Sequence, residues 1–251
     1  MALGWRVYGL GVVALGVLSL ALHDFDPGQP VPKWFPGRSA LAYAAAALMI
    51  AAGAAVAVSR RSAAWGAAVL TAYFGLAVVV LMDGRMMLRN ADVFLAYSNT
   101  AEQLAIAAAA LIVTATTARI DAALAARLVR AGQMAFGVCA ILFGLAHFFY
   151  MNLTAPLVPH WLPPSQLFWG YATGVAHIAA GIAIIAGVRA RLAAILLTIM
   201  YASFTPLVHL PMLLADPSNH GIWTENATNL VLTGAAWVVA DSLARGTGSS
   251  R

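Results

Sequence analysis

Residues 171–189 read YATGVAHIAAGIAIIAGVR, an apolar run that holds one histidine and no charged residue before Arg189. A helix needs about 20 mainly apolar residues to cross the hydrocarbon core of a bilayer. Unpaired backbone groups are costly in that core, so an apolar run of this length is expected to be helical. The stretch therefore predicts a membrane-spanning helix, and similar runs recur along the chain.

The composition of the whole chain also indicates a membrane protein. Of its 251 residues, 62% are hydrophobic and 9% are charged, whereas soluble domains carry about 25% charged residues. The chain lacks the polar side chains that would cover a water-facing surface, which excludes a soluble domain. We predict an all-α integral membrane protein with about eight transmembrane helices. The predicted spans are 4–23, 40–58, 63–82, 99–117, 130–151, 166–187, 191–211 and 224–243.

The basic residues indicate an orientation rather than a nucleic-acid partner. The net charge is +5, but the basic residues stand singly or in pairs between apolar spans, as topology charges do. Ten of them fall on one side of the predicted spans and four on the other, which places both termini in the cytoplasm. The ten are Arg6, Arg60, Arg61, Arg119, Arg127, Arg130, Arg189, Arg191, Arg245 and Arg251, and the four are Lys33, Arg38, Arg85 and Arg89.

An internal repeat divides the chain into two halves. Residues 43–60 read YAAAALMIAAGAAVAVSR and correspond to the stretch quoted above. We call the shift in residue number that takes Tyr43 to Tyr171 the repeat offset. The loop motif PVPKWFPG likewise recurs as PLVPHWLPP. An even number of predicted helices separates each element from its copy, so the repeats are parallel rather than inverted. We predict two tandem four-helix bundles, formed by residues 1–118 and 126–247.

The second half carries three stretches that resemble a known family. They are GVCAILFGLAHF, GYATGVAHIAAGIAIIAGVRARLAA and ENATNLVLTGAAW, within residues 130–239. On these stretches the second half resembles the DoxX family of four-helix membrane proteins, and the first half looks like a more divergent copy. The resemblance implies a helical bundle of the bacterial cytoplasmic (inner) membrane, associated in some members with quinone-linked oxidoreductase complexes. The chain has His177 where family members often carry an acidic residue.

The position of His177 is informative because polar groups are rare inside membrane helices. The residue lies about eleven positions into its predicted span, which is about 16 Å along a helix. Gly170, Gly174 and Gly181 share a helix face with His177 at steps of three and four residues. Small residues on one face mark where membrane helices approach closely. We therefore expect the imidazole to point into the bundle.

Other polar residues of the second half fall at compatible depths and predict a shared pocket. His147 follows a stripe of small residues, and Pro206 precedes His209 and favours a kink in its helix. The predicted pocket comprises His147, His177, His209, Glu225 and Thr205. Secondary candidates nearer the outer face are His23 and Glu102. The sequence does not predict a catalytic role for any residue.

Several kinds of chemistry fit such a pocket. It could hydrogen-bond a quinone headgroup, relay protons or hold a metal. In the structural alternative, each histidine donates to a neighbouring backbone carbonyl and only ties helices together. Two histidines can ligate haem, but nothing marks a pair, so haem is not expected. No spacing resembles a zinc motif, and no metal is predicted.

Two functional hypotheses follow. The first is a membrane subunit of a quinone-linked redox or proton-coupled system, with quinone as its cofactor and oxidoreductase subunits as partners. The second is a non-enzymatic protein that binds or moves a lipid or small amphiphile, or assembles a complex. No nucleotide-binding loop or nucleophile–base pair appears, so the sequence leaves open whether the protein is an enzyme.

Overall fold

The computed structural model describes residues 3–246 of the chain, with side chains described through Ala244. Within that range the chain forms helices and connecting turns and no strand. Eight helices are long and apolar enough to cross a membrane, which confirms the predicted all-helical fold and the predicted number of candidate spans. The eight are α1 (Gly4–Leu22), α2 (Arg38–Val58), α3 (Arg60–Arg89), α4 (Phe94–Thr117), α5 (Ala122–Phe149), α6 (Gln166–Ala186), α7 (Ala190–Ala215) and α8 (His220–Gly246).

Several helices extend past the spans predicted from hydropathy. Helix α3 runs from Arg60 to Arg89 and α5 begins at Ala122, because turns that carry arginine continue each helix beyond its predicted span. Asp121 fixes the start of α5, since its carboxylate accepts the backbone N–H groups of Ala123 and Leu124 at 2.9 and 3.0 Å. The structure does not describe residues 1 and 247, at which the two predicted units begin and end. It also does not describe the side chain of Arg245 or any part of Arg251.

Each helix packs against the next along the chain, and α8 returns to pack against α1. Helix α4 also packs against α5 and α8, so α4 and α8 meet in the middle of the molecule. These two are the most buried of the eight helices. Residues 23–37 connect α1 to α2, and residues 150–165 connect α5 to α6 with a short helix at Met151–Thr154.

Glycines allow two pairs of helices to approach closely. A Cβ atom on Gly9 of α1 would lie 2.6 Å from the carbonyl oxygen of Gly53 on α2. A Cβ atom on Gly181 of α6 would lie 2.4 Å from the carbonyl oxygen of Gly137 on α5. Any larger residue would force these helices apart. The repeat offset takes the first glycine pair to the second.

Helices α3 and α7 both contain a π-helical segment. The segment covers Tyr73–Asp83 in α3 and Thr205–His209 in α7. Such segments widen a helix by one residue and often lie at functional sites. In α7 the distortion falls at Pro206, where the sequence predicts a kink.

Candidate functional site

A cavity of about 670 Å³ lies where α4 to α8 meet the 150–165 connection. Four of the five residues predicted for the pocket line it. They are His147, His177, His209 and Glu225. Glu102 of α4, predicted as a secondary candidate, lines the same cavity, so a helix of the first half contributes to it. The volume lies in the range of pockets that hold small molecules, about 300–1,000 Å³.

His147 and His177 are neighbours on the cavity wall. Their ring centroids are 5.1 Å apart. His177 on α6 is buried, with 2% of its surface exposed, as its small-residue helix face predicts. His147 on α5 is half-buried. The close glycine contacts between α5 and α6 bring the two rings together.

Both imidazoles are held by backbone carbonyl groups. The Nδ1 of His177 lies 2.8 Å from the Thr173 carbonyl oxygen, and the Nδ1 of His147 lies 3.1 Å from that of Gly170. A carbonyl oxygen only accepts, so each Nδ1 carries the proton and each neutral ring keeps a lone pair on Nε2. The bond expected in the structural alternative is therefore present at one nitrogen of each ring. The other nitrogen remains an acceptor.

Tyr201 of α7 supplies a buried hydroxyl group to the same cavity. Its ring centroid is 5.4 Å from that of His177, and 3% of its surface is exposed. The hydroxyl oxygen has no hydrogen-bond partner among the described residues. A buried polar group without a partner costs about 1–3 kcal/mol. Tyr201 lines the cavity and its hydroxyl is buried there without a partner beside His177, so a ligand that reaches this oxygen would supply the missing hydrogen bond.

The matching tyrosine of the first half, Tyr73, shows what is missing at this position. The hydroxyl of Tyr73 donates to the Oε1 atom of Gln29 at 2.7 Å. Gln29 directly precedes the motif PVPKWFPG, and the residue that directly precedes its copy PLVPHWLPP is Ala155, which offers no side-chain acceptor. The second half thus keeps the tyrosine and lacks its partner.

Asparagine side chains of α8 compensate for the irregular backbone of α7. The Nδ2 atom of Asn229 donates to the Tyr201 carbonyl oxygen at 3.0 Å. In a π-helix that carbonyl would bond the N–H group five residues on, but residue 206 is a proline and has none. Asn229 also donates to the Thr205 hydroxyl at 3.0 Å. The Nδ2 atom of Asn226 donates to the His209 carbonyl oxygen at 3.1 Å, so the two asparagines hold Tyr201 and His209 on the cavity wall.

Two predicted candidates lie elsewhere. Thr205 does not line the cavity, because its hydroxyl is turned toward Asn229. The Nδ1 atom of His23 lies 2.8 Å from the Tyr43 hydroxyl on an exposed part of the first half, away from the cavity. Both residues were assigned to the predicted site from their position along the chain. That position does not determine the direction in which a side chain points.

Sequence reasoning missed three residues that shape the site. Thr173 and Asn229 were recognisable, because they lie four residues from His177 and Glu225 and so on the same helix faces. Tyr201 was visible only as a member of the repeat, since nothing in its own segment shows that its hydroxyl lacks a partner. In the part of the chain that the structure describes, no group of three His, Cys, Asp or Glu residues could hold a metal ion.

The pKa of Asp26, in the 23–37 connection, depends partly on a residue of the candidate site. The residue is 8% exposed, and burial raises the pKa of its carboxyl to about 6. The N–H group of Gly28, which donates to Oδ1 at 2.8 Å, lowers this pKa, whereas the Glu225 carboxylate raises it. The connection of the first half therefore lies within electrostatic reach of a residue that lines the cavity.

This raised pKa predicts how stability changes with pH. The carboxyl titrates near pH 3.9 when unfolded, so between about pH 4 and pH 6 the folded state binds more protons than the unfolded chain and stability falls as pH rises. Asp26→Asn keeps an acceptor for Gly28 and removes this titration. We expect the free energy of unfolding of the wild type to fall by roughly 2–3 kcal/mol more than that of the variant over this range. Parallel pH profiles of thermal unfolding would contradict the prediction.

A family model described as "Domain of unknown function (DUF8561)" matches residues 134–239. The matched region contains the cavity residues His147, His177, Tyr201, His209 and Glu225. It covers less than half of the chain. No curated protein and no solved structure matches the chain. The resemblance to the DoxX family stays a prediction.

Proposed function

We propose that the protein is a multi-pass membrane subunit of a quinone-linked redox or proton-coupled system, and that a quinone headgroup binds in the 670 Å³ cavity. The observation that carries this proposal is the buried Tyr201 hydroxyl, which has no partner among the described residues and lies beside His177. The oxidoreductase subunits that would supply or accept electrons are proposed partners.

The site offers hydrogen bonds to both redox forms of a quinone. The carbonyl oxygens of the oxidised form accept, and the Tyr201 hydroxyl can donate to one of them. The hydroxyl groups of the reduced form donate, and the Nε2 atoms of His147 and His177 can accept from them. Because both tautomers are held at Nδ1 by carbonyl groups, the acceptors are oriented before the ligand arrives.

Carboxylates provide a route for protons that a quinol releases on oxidation. Glu102 and Glu225 line the cavity, and Glu225 is an exposed residue at its edge. A proton taken up by an imidazole Nε2 atom can pass to either carboxylate and then to water. Phe143, Leu162 and Phe204 add apolar walls that suit the ring and tail of the quinone.

We further propose two tandem four-helix units, residues 1–118 and 126–247, with both termini in the cytoplasm of a bacterial cell and the helices in its inner membrane. The glycine pairs Gly9–Gly53 and Gly137–Gly181 support the repeat, because each pair joins the first two helices of a unit. The π-helical segments of α3 and α7 support it in the same way. The surplus of arginine on one side supports the orientation.

Quinone extraction from the purified protein tests the function. Protein prepared in mild detergent is expected to retain close to one quinone per chain, and His177→Met should retain less than a tenth of that. Methionine is the residue at the matching position of the first half, Met49, where it is buried within a helix bundle. His160→Met is the matched control, because His160 is exposed and does not line the cavity. Equal quinone content in all three proteins would refute the proposal.

The second candidate function is non-enzymatic binding or transport of a lipid or small amphiphile, or assembly of a partner complex. The apolar part of the cavity wall favours the binding of an amphiphile, because Leu157, Val158 and Leu207 offer no polar contact. A colourless, quinone-free preparation that retains lipid would support this candidate over the first.

A further inference from the structure

A second cavity, of about 640 Å³, lies in the first half between α2, α3 and the 23–37 connection. Its walls are mainly apolar and include Phe25, Val31 and Leu48. At the repeat offset, Tyr73 on its wall corresponds to Tyr201 of the first cavity. Ala44 and Ala172 are a second matching pair of wall residues. The two cavities thus occupy matching places on the two halves of the chain.

The polar groups of the first cavity are absent from the matching positions of the second. Ala45 replaces Thr173, and Leu81 replaces His209. Tyr73 is present, but its hydroxyl is already bonded to Gln29. This wall offers no open hydroxyl or imidazole for a quinone headgroup, so the second cavity suits a different ligand.

Two arginines are the charged residues on the wall of the second cavity. Arg85 and Arg89 lie one turn apart near the end of α3, so they share a helix face. Both are exposed, and neither has an acidic partner among the described residues. Arg38, on the same side of the molecule, is instead paired with Asp24. The free guanidinium groups leave a positive edge on an apolar cavity.

We propose that this cavity binds an amphiphile with an acyl chain and an anionic headgroup. The chain would lie against Leu48 and Met82, and the headgroup would bind Arg85 and Arg89. Guanidinium groups bind carboxylates and phosphates through paired hydrogen bonds, whereas an uncharged headgroup gains little from them. The ligand is a fatty carboxylate or the phosphate of a lipid, which share this chemistry. The proposal is independent of quinone binding in the other cavity.

Photolabelling of the purified full-length protein in an uncharged detergent tests the proposal. The probes are a diazirine-labelled fatty acid, the fatty alcohol of the same length and a diazirine-labelled phosphatidylglycerol, and labelled sites are found by mass spectrometry. We expect an anionic probe to label the cavity wall around Leu48 and Met82 at least ten times more than the alcohol. Arg85→Gln with Arg89→Gln should remove this preference. Lys33→Gln is the matched control, because Lys33 is a cation of the same side that does not line the cavity.

The probes also distinguish the source of the headgroup. Arginine-dependent labelling by the fatty acid indicates a carboxylate ligand, and arginine-dependent labelling by phosphatidylglycerol alone indicates a lipid phosphate; either supports the proposal. Leu48→Trp should reduce labelling by filling the cavity while both arginines remain. Labelling by both anionic probes that is no stronger than labelling by the alcohol, or labelling unchanged in the double arginine variant, would overturn the proposal.

Discussion

Replacing Tyr201 with phenylalanine is expected to lower the affinity for a quinone about tenfold while leaving the unliganded protein as stable as the wild type or more so. The hydroxyl has no partner among the described residues, so its removal breaks no protein hydrogen bond and relieves the cost of a buried polar group. In the complex the same change removes a hydrogen-bond donor to the quinone oxygen. A tenfold loss of affinity corresponds to about 1.4 kcal/mol of binding free energy. Quinone titration and thermal unfolding measure the two effects separately.

Tyr73→Phe is the matched control for this prediction. The Tyr73 hydroxyl donates to Gln29 at 2.7 Å, and Gln29 is 2% exposed, so the substitution leaves a buried acceptor with one partner fewer. We expect a loss of about 1–2 kcal/mol in the free energy of unfolding and no change in quinone affinity. If both phenylalanine variants lost stability equally, Tyr201 would have a partner in the protein, and the argument for an open site would fail.

Gly234→Ala is expected to destabilise the protein strongly, although it adds only one methyl group. A Cβ atom at this position would lie 2.3 Å from the backbone nitrogen of Tyr8 and 2.5 Å from its Cα atom. Alanine favours a helix over glycine by about 1 kcal/mol, so the steric conflict between α8 and α1 must exceed this gain. Because both clashing atoms are backbone, the helices must separate, and we expect a net loss of about 3 kcal/mol or more.

Gly75→Ala in α3 is the control for this clash. The nearest atom to its new Cβ would be the Ala107 Cβ, at 3.9 Å, an ordinary van der Waals contact. We expect this variant to be as stable as the wild type or up to about 1 kcal/mol more stable. The yield of monodisperse protein and its thermal midpoint compare the two variants. A Gly234→Ala protein as stable as Gly75→Ala would show that α1 and α8 do not approach as closely as described.

The membrane helices could be predicted because hydropathy depends on local sequence alone. Their ends could not, since a helix continues past its predicted span wherever turns that carry arginine and a cap such as Asp121 allow it. The distortion at Pro206 was predictable from the missing N–H group. The longer π-helical segment at Tyr73–Asp83 contains no proline, and its local sequence does not predict it.

The candidate site was predictable to the extent that helix faces determine it. His177 and the small residues on its face placed the imidazole inside the bundle, where the structure has it. The contribution of Glu102 depends on α4 packing against the second half, which no local pattern specifies. The importance of Tyr201 depends on the absence of a partner across a cavity. Such an absence can be recognised only in three dimensions or by comparing the two halves.

Photolabelling of the protein in membranes with an azido-quinone tests the central claim most directly, because it locates the quinone without assuming an activity. The account predicts adducts on the cavity wall of α6 and α7, near Thr173, His177 and Tyr201, which excess unlabelled quinone suppresses. Adducts confined to lipid-facing residues, or adducts on the cavity wall that excess quinone does not suppress, would contradict it.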